Sequence, residues 1–443
     1  MKIQLPEKVT YILNTLKEHG YQGYAVGGCV RDSLLGRTPQ DWDITTNAKP
    51  MEVKSLFRRT IDTGIQHGTV TVMLEKEGFE VTTYRIDGIY EDGRHPKNVE
   101  FTPNLVEDLK RRDFTINAMA YNEEEGLVDE FCGIQDLKRK MIRCVGKPQE
   151  RFAEDALRML RALRFGAQLG FDVEPETMKA VMERAATIEK ISAERIQTEL
   201  MKLLLSKNPQ HVKKIYETGL SRYFLPELDT MMETRQNNPH HCYTVGEHTL
   251  HVLCEVPPRR VIRLAALFHD VAKPVCITTD EKGIQHFHGH PEKGAELTRQ
   301  ILRRLKFDND TISGVCKLVA WHDDNPPLTE KNIRRAMNRI GVEQYPDILL
   351  LKHADVLAQS QYQQTEKLEY LKQYTALYEK IIKEQQCITM KQLAVTGSDL
   401  IAEGMTPGKE LGEELKRLLE LVLDDPKLNN RQQLLKQINK PKN

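Results

Sequence analysis

Residues 24–46 read YAVGGCVRDSLLGRTPQDWDITT: a short apolar run, a glycine pair, a helical segment and two aspartates separated by one residue. Gly27 and Gly28 end a strand, and Val30 to Leu35 begin a helix. Glycine at such a turn lets a backbone approach phosphate oxygens, where the unpaired N–H groups of a helix N-terminus favour an anion. Arg31 falls in the first turn, placed for a charge-assisted contact to a triphosphate. Asp41 and Asp43 stand two apart on a predicted strand, so both carboxylates point to one face. Two like charges that close are costly unless a cation lies between them, and hard oxygen ligands suit Mg²⁺ carried with a nucleotide. A two-metal arrangement would activate an attacking hydroxyl and stabilise a pyrophosphate leaving group. Glu80, in the later strand FEVTTYR (79–85), is the candidate third carboxylate; its other reading is a surface glutamate on an edge strand.

Outward from this stretch, residues from about 21 to 145 mix short β-branched runs such as GTVTVML (68–74) with short helical segments, the pattern of a domain around a small sheet. After Pro148 the pattern changes. Apolar positions such as Phe152, Leu157, Leu160 and Leu163 follow three-and-four spacing almost continuously, so the remaining two thirds are predicted helical and the chain as a whole α+β. At 443 residues the chain is too long for one core and should divide into two to four domains. Lys+Arg and Asp+Glu both number 64, so a polyanionic partner has to be met by local patches. One such patch runs from Arg139 to Phe165, with eight basic residues against three acidic ones.

Eight cysteines without CxxC spacing argue against a zinc ribbon or a disulfide framework and suit a reducing cytoplasm. Val9, Ile12, Leu13 and Leu16 make the N-terminus an amphipathic helix and not a signal peptide. No run approaches the roughly 18 apolar residues of a membrane span. A cytoplasmic protein with no membrane attachment and no obligate protein partner is expected.

Five motifs occur in order: GGCVRD (27–32), LLG (34–36), DWD (41–43), RRDFTINAMAY (111–121) and EDALRMLRALRF (154–165). Together they resemble the class II tRNA nucleotidyltransferase and bacterial poly(A) polymerase family, strongly over residues 20–225. The resemblance implies a polymerase-β-type head with a small mixed sheet at 1–145 and a helical neck and body at 146–225. An HD domain at 226–360 and a helical tail at 361–443 would follow. It implies addition of C, C and A to a tRNA 3′ end from CTP and ATP, with Asp41 and Asp43 as catalytic Mg²⁺ ligands. Gly28, Arg31 and Arg112 would contact the nucleotide and Asn117 would lie near its sugar. Asp113, before Phe114, also reads as a helix N-cap.

The segment RFAEDALRMLRALRF (151–165) offers a physical basis for choosing C and A. Read as one helix, it makes Asp155 and Arg158 surface neighbours three apart, and Glu154 and Arg158 neighbours four apart. Cytosine and adenine both present an amino donor beside a ring-nitrogen acceptor, which a carboxylate and a guanidinium match. Uracil and guanine present the reverse and would meet acceptor with acceptor and donor with donor. The resemblance assigns this templating role to Asp155 and Arg158, with Arg161 and Arg164 as further nucleotide or phosphate contacts. The Gly-rich, charged stretch 85–101 reads as a mobile loop, and the resemblance implies that it helps switch the site from C to A.

Ten of the fourteen histidines fall between His240 and His353. They lie in VGEHTLHVL (245–253), AALFHDVAKP (265–274), HFHGHPEKGAEL (286–297), VAWHDD (319–324) and LKHADVLA (351–358). These resemble the HD phosphohydrolase superfamily, which implies one divalent ion on His248, His269, Asp270 and Asp355 and a second on His290 and His322. Imidazole suits transition metals and a carboxylate can bridge two ions. The competing functions are a poly(A) polymerase, which would not need to read C, and an HD phosphohydrolase with an RNA-binding head.

Overall fold

The computed structural model describes residues 2–88 and 99–439. The chain forms two compact units, Met1–Pro226 and Glu227–Asn443. In the first unit the elements run α1 (Glu7–Glu18), β1 (Gly23–Val26), α2 (Gly28–Leu34), β2 (Ile44–Thr46), α3 (Pro50–Leu56), β3 (Thr60–Gly64), β4 (Thr69–Leu74) and β5 (Glu77–Thr83). A separate pair, β6 (Arg85–Asp87) and β7 (Val99–Phe101), precedes α4 (Leu105–Lys110), β8 (Ala120–Asn122) and β9 (Gly126–Val128). The sheet has seven strands in the order β3-β4-β5-β2-β1-β8-β9, with β2 and β5 parallel and the other pairs antiparallel.

Strand alternation decides which side chains meet. Ile44, Val70, Val72 and Val81 face α1 and pack on Val9, Ile12, Leu13 and Leu16, the stripe visible in the sequence. Each of these side chains contributes roughly 1.5–3 kcal/mol by leaving water. A second cluster of Tyr24, Val26, Tyr84, Leu109, Ala118, Ala120 and Val145 accompanies the middle of the sheet.

Three local expectations change. β2 begins at Ile44, so Asp41 and Asp43 lie on the run leading into it and not within the strand. The Asp43 carbonyl still joins the ladder, accepting the Val26 N–H at 2.9 Å. Glu80 is not on an edge, because β5 lies between β4 and β2. After α5 (Gly133–Arg139), the segment 151–165 is not one helix: α6 (Pro148–Glu154) ends at a break at Asp155, with φ −145° and ψ 105°, before α7 (Leu157–Leu169). The Asp155 carboxylate accepts the Leu157 N–H at 3.0 Å, which caps the new helix and explains the break. Residues 89–98, the centre of the expected mobile loop, lie outside the described residues. α8 (Pro175–Arg184) and α9 (Ala193–Leu204) follow, and α9 packs along α7.

The second unit is helical apart from a small ladder pairing Thr278–Thr279 with Gln285–His286. Helices Val245–Glu255, Arg260–Phe268, His290–Arg304, Asn309–Trp321 and Tyr345–Leu357 carry or adjoin the histidine segments. A distinct core farther along joins Leu393, Val395, Leu400, Leu418, Val422 and Leu434. Among the described residues no helix is long and apolar enough to cross a membrane.

The turn between β1 and α2 requires glycine at one position. Gly27 has φ 82° and ψ −126°, and a Cβ there would stand 3.1 Å from Arg112 Nη1. A Cβ on Gly28 would meet Arg31 Nη2 at an ordinary 3.6 Å. Gly27→Ala is therefore expected to cost on the order of 1–3 kcal/mol in denaturant unfolding, and Gly28→Ala clearly less.

Candidate functional site

The β2–β5 register pairs Ile44 with Val81, which sets Asp43 beside Glu80 on the face opposite the α1 core. Asp41, Asp43 and Glu80 all reach solvent. Surrounding protein nevertheless raises the Asp43 pKa; Arg112 pulls it down and Asp41 pushes it up again. Glu80 is raised by burial first and then by Asp43 and Asp41. Mutual repulsion of three carboxylates is what a hard divalent cation relieves, so this oxygen set fits such an ion. A cavity of about 750 Å³ beside α1, lined by Leu13, Asn14, Lys17 and the Glu123–Glu125 turn, contains none of these residues.

Gly28 opens α2, and Arg31 is buried one turn on. Arg31 donates to Asn117 Oδ1 at 2.6 Å and to both oxygens of Asp32 at 2.9 Å. Asn117 in turn donates to Asp113 Oδ1 at 3.2 Å. Asp113 also accepts from its neighbour, the Phe114 N–H, at 2.8 Å, and the short 3₁₀ turn Thr115–Asn117 follows. Its other oxygen receives Arg161 Nε and Nη2 at 2.8 and 2.6 Å.

The expected nucleotide-reading pair is not in direct partnership. The carboxylate of Asp155 is held by Arg195 at 2.6 Å, and Arg158 pairs with Glu154. Arg158 also donates to the carbonyls of Arg151 and Arg111, each at 3.2 Å. Arg164 pairs with buried Glu199 at 2.6 Å and lies 3.6 Å over the Phe165 ring, which Arg31 and Arg161 flank at 5.1 and 5.4 Å. Burial pushes the Arg164 pKa down to about 10. Arg195, Glu199 and Asp108 were missed in the sequence, where each reads as an ordinary charge on an amphipathic helix; only the burial of Glu199 and Asp108 marks them out.

In the second unit the six candidate ligands meet. His248 Nε2 is 2.8 Å from Asp355 Oδ1 and 3.3 Å from His269 Nε2, and His290 Nε2 is 3.2 Å from His322 Nε2. Asp270 lies between them, Oδ2 at 3.2 Å from His269 and Oδ1 at 3.4 and 3.6 Å from His290 and His322. The ligand atoms of His248, His269 and Asp270, and those of Asp270, His290 and His322, each lie within 4.8 Å of one another. Each Nδ1 faces a carbonyl: Ala358 for His248 at 3.2 Å, Ala266 for His269 at 2.9 Å, Phe287 for His290 at 2.8 Å and Val319 for His322 at 2.7 Å. A carbonyl only accepts, so those contacts favour a proton on each Nδ1 and turn each Nε2 toward the Asp270 and Asp355 carboxylates, the orientation that metal-ligating imidazoles share. Burial opposes the charge of Asp270, yet His269 and Lys273 hold its carboxyl well below the usual range. Lys273, 2.7 Å from Asp270, sits on the wall of the adjoining cavity of about 340 Å³.

A mixed sheet that presents paired carboxylates beside a glycine turn defines a nucleotidyltransferase. Residues 23–143 match the family model of the poly A polymerase head domain, 170–232 that of the RNA- and SrmB-binding site of polymerase A, and 278–438 that of tRNA nucleotidyltransferase domain 2. The CCA-adding enzyme of Limosilactobacillus fermentum is 38% identical over 442 residues, covering 98% of both chains. That of Pediococcus pentosaceus is 34% identical over 437 residues, again 98% of both. The crystal structure of the Bacillus stearothermophilus CCA-adding enzyme in complex with CTP superposes with a TM-score of 0.69 at 29% identity, over 95% of this chain and 94% of that one. The chain belongs to the CCA-adding enzyme family.

The Asp113–Arg161 pair predicts an acid response. Burial alone would raise the Asp113 pKa, but Arg161 and Arg158 bring it down to about 2. A depressed folded-state pKa gives stability that is present above the unfolded value near 4 and is lost as pH falls toward about 2, on the order of 2 kcal/mol. Asp113→Asn should lower the unfolding midpoint at neutral pH and flatten its fall across that window, as read by thermal melts from pH 6 to 2.

Proposed function

We propose that this chain builds the CCA end of tRNA from CTP and ATP without a nucleic-acid template, releasing pyrophosphate. The carrying observation is the Asp41–Asp43–Glu80 carboxylate group beside the Gly27–Gly28 turn. Asp41 and Asp43 would hold Mg²⁺, which when bound activates the attacking 3′-hydroxyl and stabilises the leaving pyrophosphate. Gly28, Arg31 and Arg112 would receive the triphosphate. Asp155 and Arg158 would read the base edge, each kept in place by a partner that a nucleotide would join or replace. Arg161 and Arg164, anchored on Asp113 and Glu199, would make further nucleotide or phosphate contacts. Solved CCA-adding enzymes in complex with CTP support the substrate assignment. We subdivide the chain into head (1–145), neck and body (146–225), HD domain (226–360) and tail (361–443). Eight free cysteines accord with a reducing cytoplasm.

The histidine centre favours a second activity. The Nε2 atoms gathered around Asp270 would hold two divalent ions and support hydrolysis of a phosphate ester. Asp270→Ala should remove divalent-metal binding in the second unit, seen as lost metal per chain by elemental analysis, while CCA addition persists. Retained stoichiometry would remove the metal assignment.

For the main activity the decisive experiment is incorporation of each labelled NTP, singly and together, into a tRNA lacking its CCA end. Two C additions, one A and a halt are expected, with incorporation reduced at least a thousandfold in Asp43→Asn, a magnitude in line with loss of a metal ligand. A long A ladder from ATP alone would mean a poly(A) polymerase.

A further inference from the structure

Asp108, on α4, has no solvent exposure, and its carboxylate collects donors from four places in the head. Thr45 Oγ1 reaches Oδ2 at 3.1 Å, and the Arg85 N–H reaches Oδ1 at 3.4 Å. Arg111 binds Oδ1 through Nη2 at 2.7 Å and Nε at 2.9 Å, and Arg112 Nη2 reaches Oδ2 at 3.4 Å. Burial opposes the charge, but Arg111 and Arg112 lower the pKa below its ordinary value.

The donors connect to different parts of the nucleotide site. Thr45 lies two residues beyond Asp43, on the same face of the sheet. The Arg111 carbonyl is the perch of Arg158 Nη2. Arg112 is close enough to draw the Asp43 pKa down, and its Nη1 lies over the Gly27 turn. Among the described residues Arg112 Nε is buried without a hydrogen-bond partner. A long cation with its Nε unmatched keeps one orientation only if something fixed holds its guanidinium, and Asp108 is that anchor.

We propose that Asp108 is a positioning residue for nucleotidyl transfer: it aims Arg112 at the triphosphate between the Gly27 turn and the Asp43 carboxylate. The proposal rests on the reading of Arg112 as a nucleotide contact. Burying an ion pair seldom adds net stability, so the charge of Asp108 acts through the orientation it gives its partners, and Thr45 and the Arg85 N–H hold it in place for that.

The test is steady-state addition to tRNA lacking its CCA end, with Asp108→Asn, Arg112→Ala and the double variant. Asp108→Asn keeps the shape and removes the charge. It should raise KM for CTP and for ATP about tenfold with kcat changed much less, the scale of one charged hydrogen bond. The double variant should be no worse than Arg112→Ala, because a positioning effect vanishes with the group positioned. An unchanged KM in folded Asp108→Asn, or full additivity with Arg112→Ala, overturns the proposal. Wild-type KM in Arg112→Ala would instead overturn the nucleotide reading of Arg112. If Asp108→Asn does not fold, Thr45→Val removes one donor and leaves the charge. A smaller KM rise that disappears in the Arg112→Ala background is then expected, and an unchanged KM overturns the proposal.

Discussion

The hydrogen bond from the Val26 N–H to the Asp43 carbonyl, 2.9 Å long, brings the end of β1 and the run into β2 to one point. Beyond Val26 the chain must turn at once, because the Gly27 N–H goes to the Met119 carbonyl at 3.1 Å and φ moves to 82°. The Gly27 turn and the Asp43 carboxylate are therefore neighbours through the backbone, not through side-chain packing. The geometry that joins the turn to the carboxylate thus stays with the sheet whatever side chains surround it. The parallel β2–β5 pairing extends the arrangement by setting Glu80 beside Asp43.

From that point a line of charge runs into the helices that follow. Arg31 holds Asn117, Asn117 holds Asp113, Asp113 holds Arg161, and Arg161 and Arg164 share Glu199. Each link is buried or half-buried, so each ion is expensive without its partner, and removing one leaves the next uncompensated. Such a chain adds little net stability relative to apolar packing, but it fixes orientation. Phe165, with guanidinium groups at 3.6, 5.1 and 5.4 Å, gathers Arg164, Arg31 and Arg161 around one ring within the first unit. Asp155 and Arg158, at the start of α7, are thereby tied to the same network as the Gly27 turn.

Much of this was legible in the sequence because the chemistry is local. Glycines, Asp41 and Asp43 fall within one strand-turn-helix-strand stretch, and the amphipathic face of α1 is written in four side chains. The break at Asp155 was not legible: Phe152, Leu157, Leu160 and Leu163 keep a helical spacing through it, so apolar periodicity carries no trace of the interruption. The partner that fixes Asp155 is Arg195, forty residues on. Asp108 escaped for a related reason, since an aspartate ahead of two arginines looks like a solvated helix end until the fold closes Thr45 and Arg85 over it. The surroundings of Glu80 depend on which strand lies beside its own, and FEVTTYR carries no sign that β2 does.

The histidine centre applies the same physics with different atoms. In the head, burial and then neighbouring carboxylates raise the pKa values of Asp43 and Glu80; in the second unit, ring nitrogens converge at 3.2 and 3.3 Å around one aspartate. Neither cluster is a comfortable resting state for a protein by itself. The two differ in setting, because the head leaves its carboxylates open to solvent, while the second unit buries its four histidines and Asp270 and holds each imidazole with a backbone carbonyl behind the ring. Open oxygen ligands suit an ion that arrives and leaves with substrate; buried, carbonyl-oriented imidazoles suit one that stays.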